Sequence, residues 1–302
     1  MLSEQVKPQA FRIYSEDYDV EEVFDMPQQL VTISGIGMPS VKNMTVQSPF
    51  QDGETHVGFT LRPRLLQIGF HLAKLWGGAS WTEHRTRQRM LSILNPAIGT
   101  FCFEVVMNNG DVYHLEEVFY EAGFSAGLPA NTGDSNKQDI AVRLRCGWPL
   151  WLGEEHTLEE SLATSSATFA CETYGNYFSW PVITLTGPLT KPYVYLLRWD
   201  LDTADYATVA VIGVNAAIGA GDSVYITTRP TQRSVLDEAG NYVDLTSDTV
   251  FNFFRLTPHP IRALHDLQTD ANWYNNFIRV TASAYGAGAS VKVVHSDHWI
   301  GL

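Results

Sequence analysis

Several runs in this 302-residue chain have residue types and spacings that chemistry uses. Gly123-Phe124-Ser125-Ala126-Gly127 fits the G-x-S-x-G pattern of a nucleophile elbow, which needs a strand before the serine and a helix after it. Pro129 and Gly133 follow and oppose a helix, so the run reads as a glycine-rich loop and not as a hydrolase nucleophile. Gly35-Ile36-Gly37 opens like a dinucleotide loop, but Ser40 stands where the third glycine belongs and no βαβ unit surrounds it. His295-Ser296-Asp297-His298 gathers three groups able to ligate a metal. On a strand His295 and Asp297 share a face and His298 points away, so an ordinary exposed segment is the expectation. The acid pairs Glu116-Glu117, Glu154-Glu155 and Glu159-Glu160 are sequence neighbours, which does not converge two carboxylates on one substrate. Trp148, Trp151, Trp180, Trp199, Trp273 and Trp299 are enough aromatic surface for a sugar-stacking platform, but filling cores and interfaces is the commoner use of tryptophan in β-sandwiches. No catalytic site, cofactor or metal is therefore expected.

The elements that carry these residues read mostly as strands. Gln28 to Ser34 has strand character. His56 to Arg62 alternates, with Val57, Phe59 and Leu61 on one face, and Pro63 breaks the run. Leu66, Ile68, Phe70 and Leu72 then face one way, so both runs are expected as half-buried antiparallel strands. Ser80-Trp81-Thr82-Glu83 reads as a capping box opening one helix, with Met90, Leu91 and Leu94 facing a core, Arg85, Arg87 and Arg89 outward, and Asn95-Pro96 as the stop. Strands are expected at Thr100 to Val106 and Tyr113 to Tyr120, joined by a turn at Asn108-Asn109-Gly110-Asp111, where Asn and Gly accept positive φ. Ile140, Val142, Leu144 and Cys146 alternate against Ala141, Arg143 and Arg145. After a Glu-, Thr- and Ser-rich stretch from Leu152 to Cys171, short strands recur about every ten residues, the rhythm of a β-sandwich.

Composition limits the partners. Hydrophobic residues make up 45% and aromatics 12%, enough for sizeable cores; charged residues are only 18%, which suits large covered contacts. The net charge is -13. Residues 1–155 hold 12 basic and 19 acidic residues, net -7; residues 156–302 hold 8 and 14, net -6. A broad phosphate-neutralising face needs a basic surplus, so tight DNA binding is not expected. Three scattered cysteines, Cys102, Cys146 and Cys171, fit neither a disulfide framework nor a cysteine-rich zinc site, and point to a reducing folding compartment. No window is long and apolar enough to suggest a membrane span or a signal peptide.

The order of motifs carries a resemblance. Ile33-Ser34-Gly35-Ile36-Gly37-Met38-Pro39, Gln47-Ser48-Pro49-Phe50-Gln51-Asp52-Gly53 and Phe59-Thr60-Leu61-Arg62-Pro63-Arg64 come first. Leu94-Asn95-Pro96, Cys146-Gly147-Trp148-Pro149-Leu150-Trp151 and Tyr177 to Pro188 follow. In this order, over about residues 30 to 302, the chain resembles the distal tail proteins of long-tailed, siphovirus-type bacteriophages. The resemblance implies a mainly β fold with one helix: an N-terminal belt, or split-barrel-like, domain and a C-terminal galectin-like β-sandwich. Boundaries are expected at 1–28 for an acidic arm, 29–155 for the belt and 156–302 for the sandwich. It further implies a homo-oligomeric, hexameric ring in the virion. That ring would join the tail tube protein to the tail hub, neighbour the tape measure and receptor-binding proteins, and let DNA pass without specific binding. The candidate subunit or partner contacts are Arg85, Arg87 and Arg89 on the helix and Asn109 and Gly110 in the turn. A carbohydrate-binding sandwich is the alternative.

Overall fold

The computed structural model describes residues 8–15, 24–25, 30–47, 52–73, 88, 90–97, 99–124, 137–200, 205–251, 254–258 and 276–302. The chain divides into two compact units, Met1–Gly153 with Trp299–Leu302, and Glu154–His298.

Unit 1 contains β1 (Pro8–Ser15), β2 (Phe24–Asp25), β3 (Leu30–Ser34), β4 (Val41–Val46), β5 (Thr55–Leu61), β6 (Arg64–Ala73), β7 (Phe101–Met107), β8 (Val112–Gly123), β9 (Lys137–Cys146) and the start of β10 (Trp151–Ser161). Its main sheet runs β10-β8-β7-β1-β2, with β9 also on β8, β6 on β9 and β3 on β6. Two-residue periodicity explains the core. Across β6 and β9, Leu66 stands opposite Leu144 and Ile68 opposite Val142, all buried. Across β1 and β7, Phe11 faces Val105 and Ile13 faces Phe103, and the Phe11 and Phe103 rings lie 6.0 Å apart. Each such side chain contributes about 1.5–3 kcal/mol by leaving water. On the outer face, Glu121 lies 3.8 Å from Arg143 and 3.5 Å from Arg145, and Arg12 pairs with Glu104 at 3.0 Å.

The helix is described only at its end. Met90 and Leu94 are buried, the Leu94 amide donates to the Met90 carbonyl at 2.9 Å, and the Asn95 side-chain oxygen accepts from the Ala97 amide. Leu91 is exposed, contrary to expectation, because one residue of helix turns it about 100° from Met90. Ser80 to Glu83 and the candidate contacts Arg85, Arg87 and Arg89 lie outside the described residues.

Unit 2 holds the rest of β10, then β11 (Ser166–Ala170), β12 (Val182–Thr186), β13 (Leu189–Thr190), β14 (Tyr193–Asp200), β15 (Asp205–Gly213), β16 (Ala217–Ile218), β17 (Ser223–Thr227), β18 (Ser234–Asp237), β19 (Asn276–Thr281), β20 (Ala284–Tyr285) and β21 (Ser290–Trp299). One sheet runs β18-β17-β12-β21-β10, a second β11-β19-β14-β15, and a small third β16-β13-β20. Ile183, Leu185, Val224, Ile226, Val291 and Val293 from the first sheet share one core with Val194, Leu196, Ile212, Ile278 and Val280 from the second. That is the sandwich the short-strand rhythm predicts.

Candidate functional site

The feature of unit 1 that its own core does not explain is the pair β4–β5. The two strands run antiparallel from Val41↔Leu61 to Val46↔Thr55 and form a sheet of two. The sequence alternation predicts one buried face. The structure corrects this: Met44 is 44% exposed, Val46 54%, Val57 60% and Phe59 43%. Among the described residues no third strand pairs with either edge. A lone two-stranded ribbon is marginal in water, and open edges with exposed apolar side chains leave a surface able to take a further strand or chain.

Both legs of this ribbon run into one anchor. Arg64, two residues beyond Arg62 on the outgoing leg, is 1% exposed, and no carboxylate pairs with it among the described residues. Its guanidinium serves backbone carbonyls instead: Nε donates to Pro149 at 2.9 Å, Nη1 to Gly35 at 2.6 Å and to Gly37, and Nη2 to Ile300 at 2.7 Å. A planar fork of five N–H donors suits this work, and an ammonium could not reach four divergent acceptors. The guanidinium carbon also sits 5.4 Å over the Trp151 ring, whose Nε1 donates to the Ile36 carbonyl at 3.0 Å. Burial lowers the Arg64 pKa to about 10, which leaves it charged at neutral pH. On the incoming leg the Ser40 carbonyl accepts from the Arg62 amide at 2.9 Å.

This anchor explains motifs that sequence spacing left open. Gly35 has φ +90°, and a Cβ there would meet the Leu65 carbonyl oxygen at 1.9 Å. The Gly35-Ile36-Gly37 run is therefore a close backbone crossing that feeds carbonyls to Arg64, not a phosphate loop. Three motif segments, around Gly35, Arg64 and Trp148 to Trp151, converge here from distant parts of the sequence. Sequence reasoning missed Arg64 as their hub; the available signal was a cation placed at the head of an otherwise apolar alternating strand.

The Asn109-Gly110 turn forms as expected. Gly110 takes φ 93°, the Met107 amide donates to the Asp111 carbonyl at 2.8 Å, and the Asn109 side-chain oxygen accepts from the Asp111 amide at 3.1 Å. The tip is exposed, so Asn109 and Gly110 are available for contact. The anchor and this turn are separate features of unit 1.

The remaining candidates form no catalytic machinery among the described residues. Ser125 and most of its loop lie outside them, as does Trp273. Trp151 is fully buried, Trp180 packs against His298 at 5.4 Å and Tyr177 at 6.3 Å, and Trp299 stands edge-on to Tyr113 at 5.9 Å. His295, Asp297 and His298 are buried in unit 2, not exposed. The Asp297 carboxylate accepts from the Thr173 hydroxyl at 3.1 Å and the Tyr174 amide at 2.7 Å, and lies 3.1 Å from His156 Nε2. Burial first, then the His156 charge, lowers the His295 pKa to about 4. Burial likewise lowers His298 to about 4, with Arg229 adding to the effect, while its Nδ1 donates to the Ser296 carbonyl at 2.9 Å. Among the described residues no cluster is arranged to hold a metal, and no helix is long and apolar enough to cross a membrane.

The strand order and the two units define the fold class: a mainly β fold like that of phage distal tail proteins. Among solved structures the chain is similar to SPP1 Dit (gp 19.1), described as a paradigm of hub adsorption apparatus in Gram-positive infecting phages. The two share 13% identity over 96% of this chain and 99% of that one, with a TM-score of 0.60. A structure of the phage P2 baseplate in its activated conformation with Ca is similar at 10% identity, covering 94% of this chain and 97% of that chain, with a TM-score of 0.48. At 13% identity the likeness to SPP1 Dit is one of fold. No protein-family model matches the chain, and no curated protein sequence does.

Proposed function

We propose that this chain is a structural protein of the phage virion, a distal-tail adaptor with no catalytic role. The observation that carries the reading is the β4–β5 ribbon, apolar, open-edged and braced by a buried arginine, on a chain whose fold resembles that of SPP1 Dit. Copies of the chain close into a ring, six by the family resemblance, in which each ribbon is covered by its neighbour. The ring joins the tail tube to the hub and carries receptor-binding parts, with the tape measure protein as a neighbour and DNA passing through its bore. A net charge of -13 per copy supports that passage, because an acidic protein lacks the basic surplus that retains phosphates. The Asn109-Gly110 tip and the helix arginines Arg85, Arg87 and Arg89 are proposed contacts within this assembly.

The test is the assembled state of the full chain, by native mass spectrometry and class-averaged negative-stain images. The expected result is a closed particle of cyclic symmetry, sixfold by the resemblance. A monomer at all concentrations, also absent from virions, overturns the reading.

A further inference from the structure

Residues 299–302 sit in unit 1, against the segment that leads into the ribbon. The Ile300 carbonyl takes one arm of Arg64 at 2.7 Å. The Leu302 amide donates to the Ile36 carbonyl at 3.1 Å, beside the Trp151 donor to the same oxygen. Gly301 approaches so closely that a Cβ there would meet the Gly37 carbonyl carbon and the Met38 nitrogen, each at 2.9 Å. Trp299 packs edge-on against Tyr113, and Leu302 packs on the unit 1 core. Backbone 35–38 is thus gripped by Arg64, Trp151 and residues 300–302 together. Only Pro39 and Ser40 separate it from the first residue of β4.

We propose that the segment Trp299–Leu302 aims the β4–β5 ribbon and is therefore a positioning part of the self-association surface. The inference rests on the ring reading for its consequence, though not for its geometry. A leg of six or seven residues reaches about 20 Å at ~3.3 Å per residue, so a tilt of ~15° at the base moves the tip by about 5 Å, one full strand spacing. Edge pairing with a neighbour does not survive such a shift. Gly301 is the sensitive point, because the atoms facing its missing Cβ are backbone and cannot swing away.

The experiment uses the full chain with spin labels at Glu54→Cys, beside the ribbon turn, and Ala141→Cys, an exposed position on β9; Cys102, Cys146 and Cys171 are buried. Pulsed electron–electron resonance gives the label distance, sedimentation gives self-association, and both are read well below the melting point. In Gly301→Val the distance distribution is expected to shift or broaden by several ångströms, and self-association to weaken by about tenfold or more. Arg64→Lys, which keeps the charge and loses the fork, is expected to do the same and serves if Gly301→Val does not fold. A merely structural role would lower the melting temperature and leave the distance and the assembly unchanged in the folded protein. That result overturns the inference. A wild-type chain that stays monomeric sinks the ring reading, and the distance arm still decides whether residues 299–302 aim the ribbon.

Discussion

Acidification should destabilise the sandwich through two buried histidines. His295 and His298 are buried and each has its pKa lowered from 6.5 to about 4. In the unfolded chain each takes a proton near pH 6.5; in the folded chain it resists until about pH 4. Stability is therefore full above pH 6.5, falls as the pH drops towards 4, and levels off below. From pH 7 to pH 5 the linkage relation makes this loss about 2 kcal/mol per histidine. Each pKa unit is worth ~1.4 kcal/mol, so the ceiling is about 3 kcal/mol each. A loss of ~4 kcal/mol for the pair is a large share of a typical domain stability of 5–15 kcal/mol. For a unit of this size it lowers the melting temperature by roughly 10 °C. Calorimetry at pH 7, 6 and 5 reads it directly. The isolating variant is His295→Leu: neither ring nitrogen of His295 has a hydrogen-bond partner, so the change strands no partner group and removes one proton site. Its pH 7 stability should hold while its loss down to pH 5 shrinks by about half. An unchanged pH 7-to-5 loss in that variant refutes the reasoning.

Three further outcomes are expected. Arg64→Met strands four backbone carbonyls, and urea titration should show unit 1 less stable by about 3–5 kcal/mol; a loss under ~1 kcal/mol would show that the anchor is not needed. Phe59→Glu on the exposed ribbon should leave the melting temperature of the isolated chain within about 2 °C and abolish ring formation in size-exclusion with light scattering; intact rings would remove the ribbon from the interface. Reversing Arg85, Arg87 and Arg89 together to Glu should weaken assembly while circular dichroism stays native, and unaltered sedimentation would dismiss those arginines as contacts.

Some of this was legible in residue order alone. The alternation of Ile140, Val142, Leu144 and Cys146 named the buried face of β9, the Asn109-Gly110 pair named its turn, and the short-strand rhythm named the sandwich. These depend on local chemistry: side-chain period and positive φ. The same kind of pattern misled at Val57 and Phe59. A period of two says that one face is apolar, not that this chain supplies what covers it. Leu91 failed for a similar reason, since apolar type does not fix helical phase. His295, Asp297 and His298 read as an exposed segment and are buried: the Thr173 hydroxyl and the Tyr174 amide serve the Asp297 carboxylate, the Ser296 carbonyl serves His298, and His295 is buried as a ring beside His156.

What residue order by itself determined is which stretches become strands and which of their faces are oily. The tertiary structure alone decided that Gly35, Arg64, Pro149, Trp151 and Ile300 meet. The separation between Arg64 and Ile300 is 236 positions, and no local preference spans such a distance. Their meeting depends on a buried cation finding enough carbonyl oxygens, and only the completed fold assembles them around it.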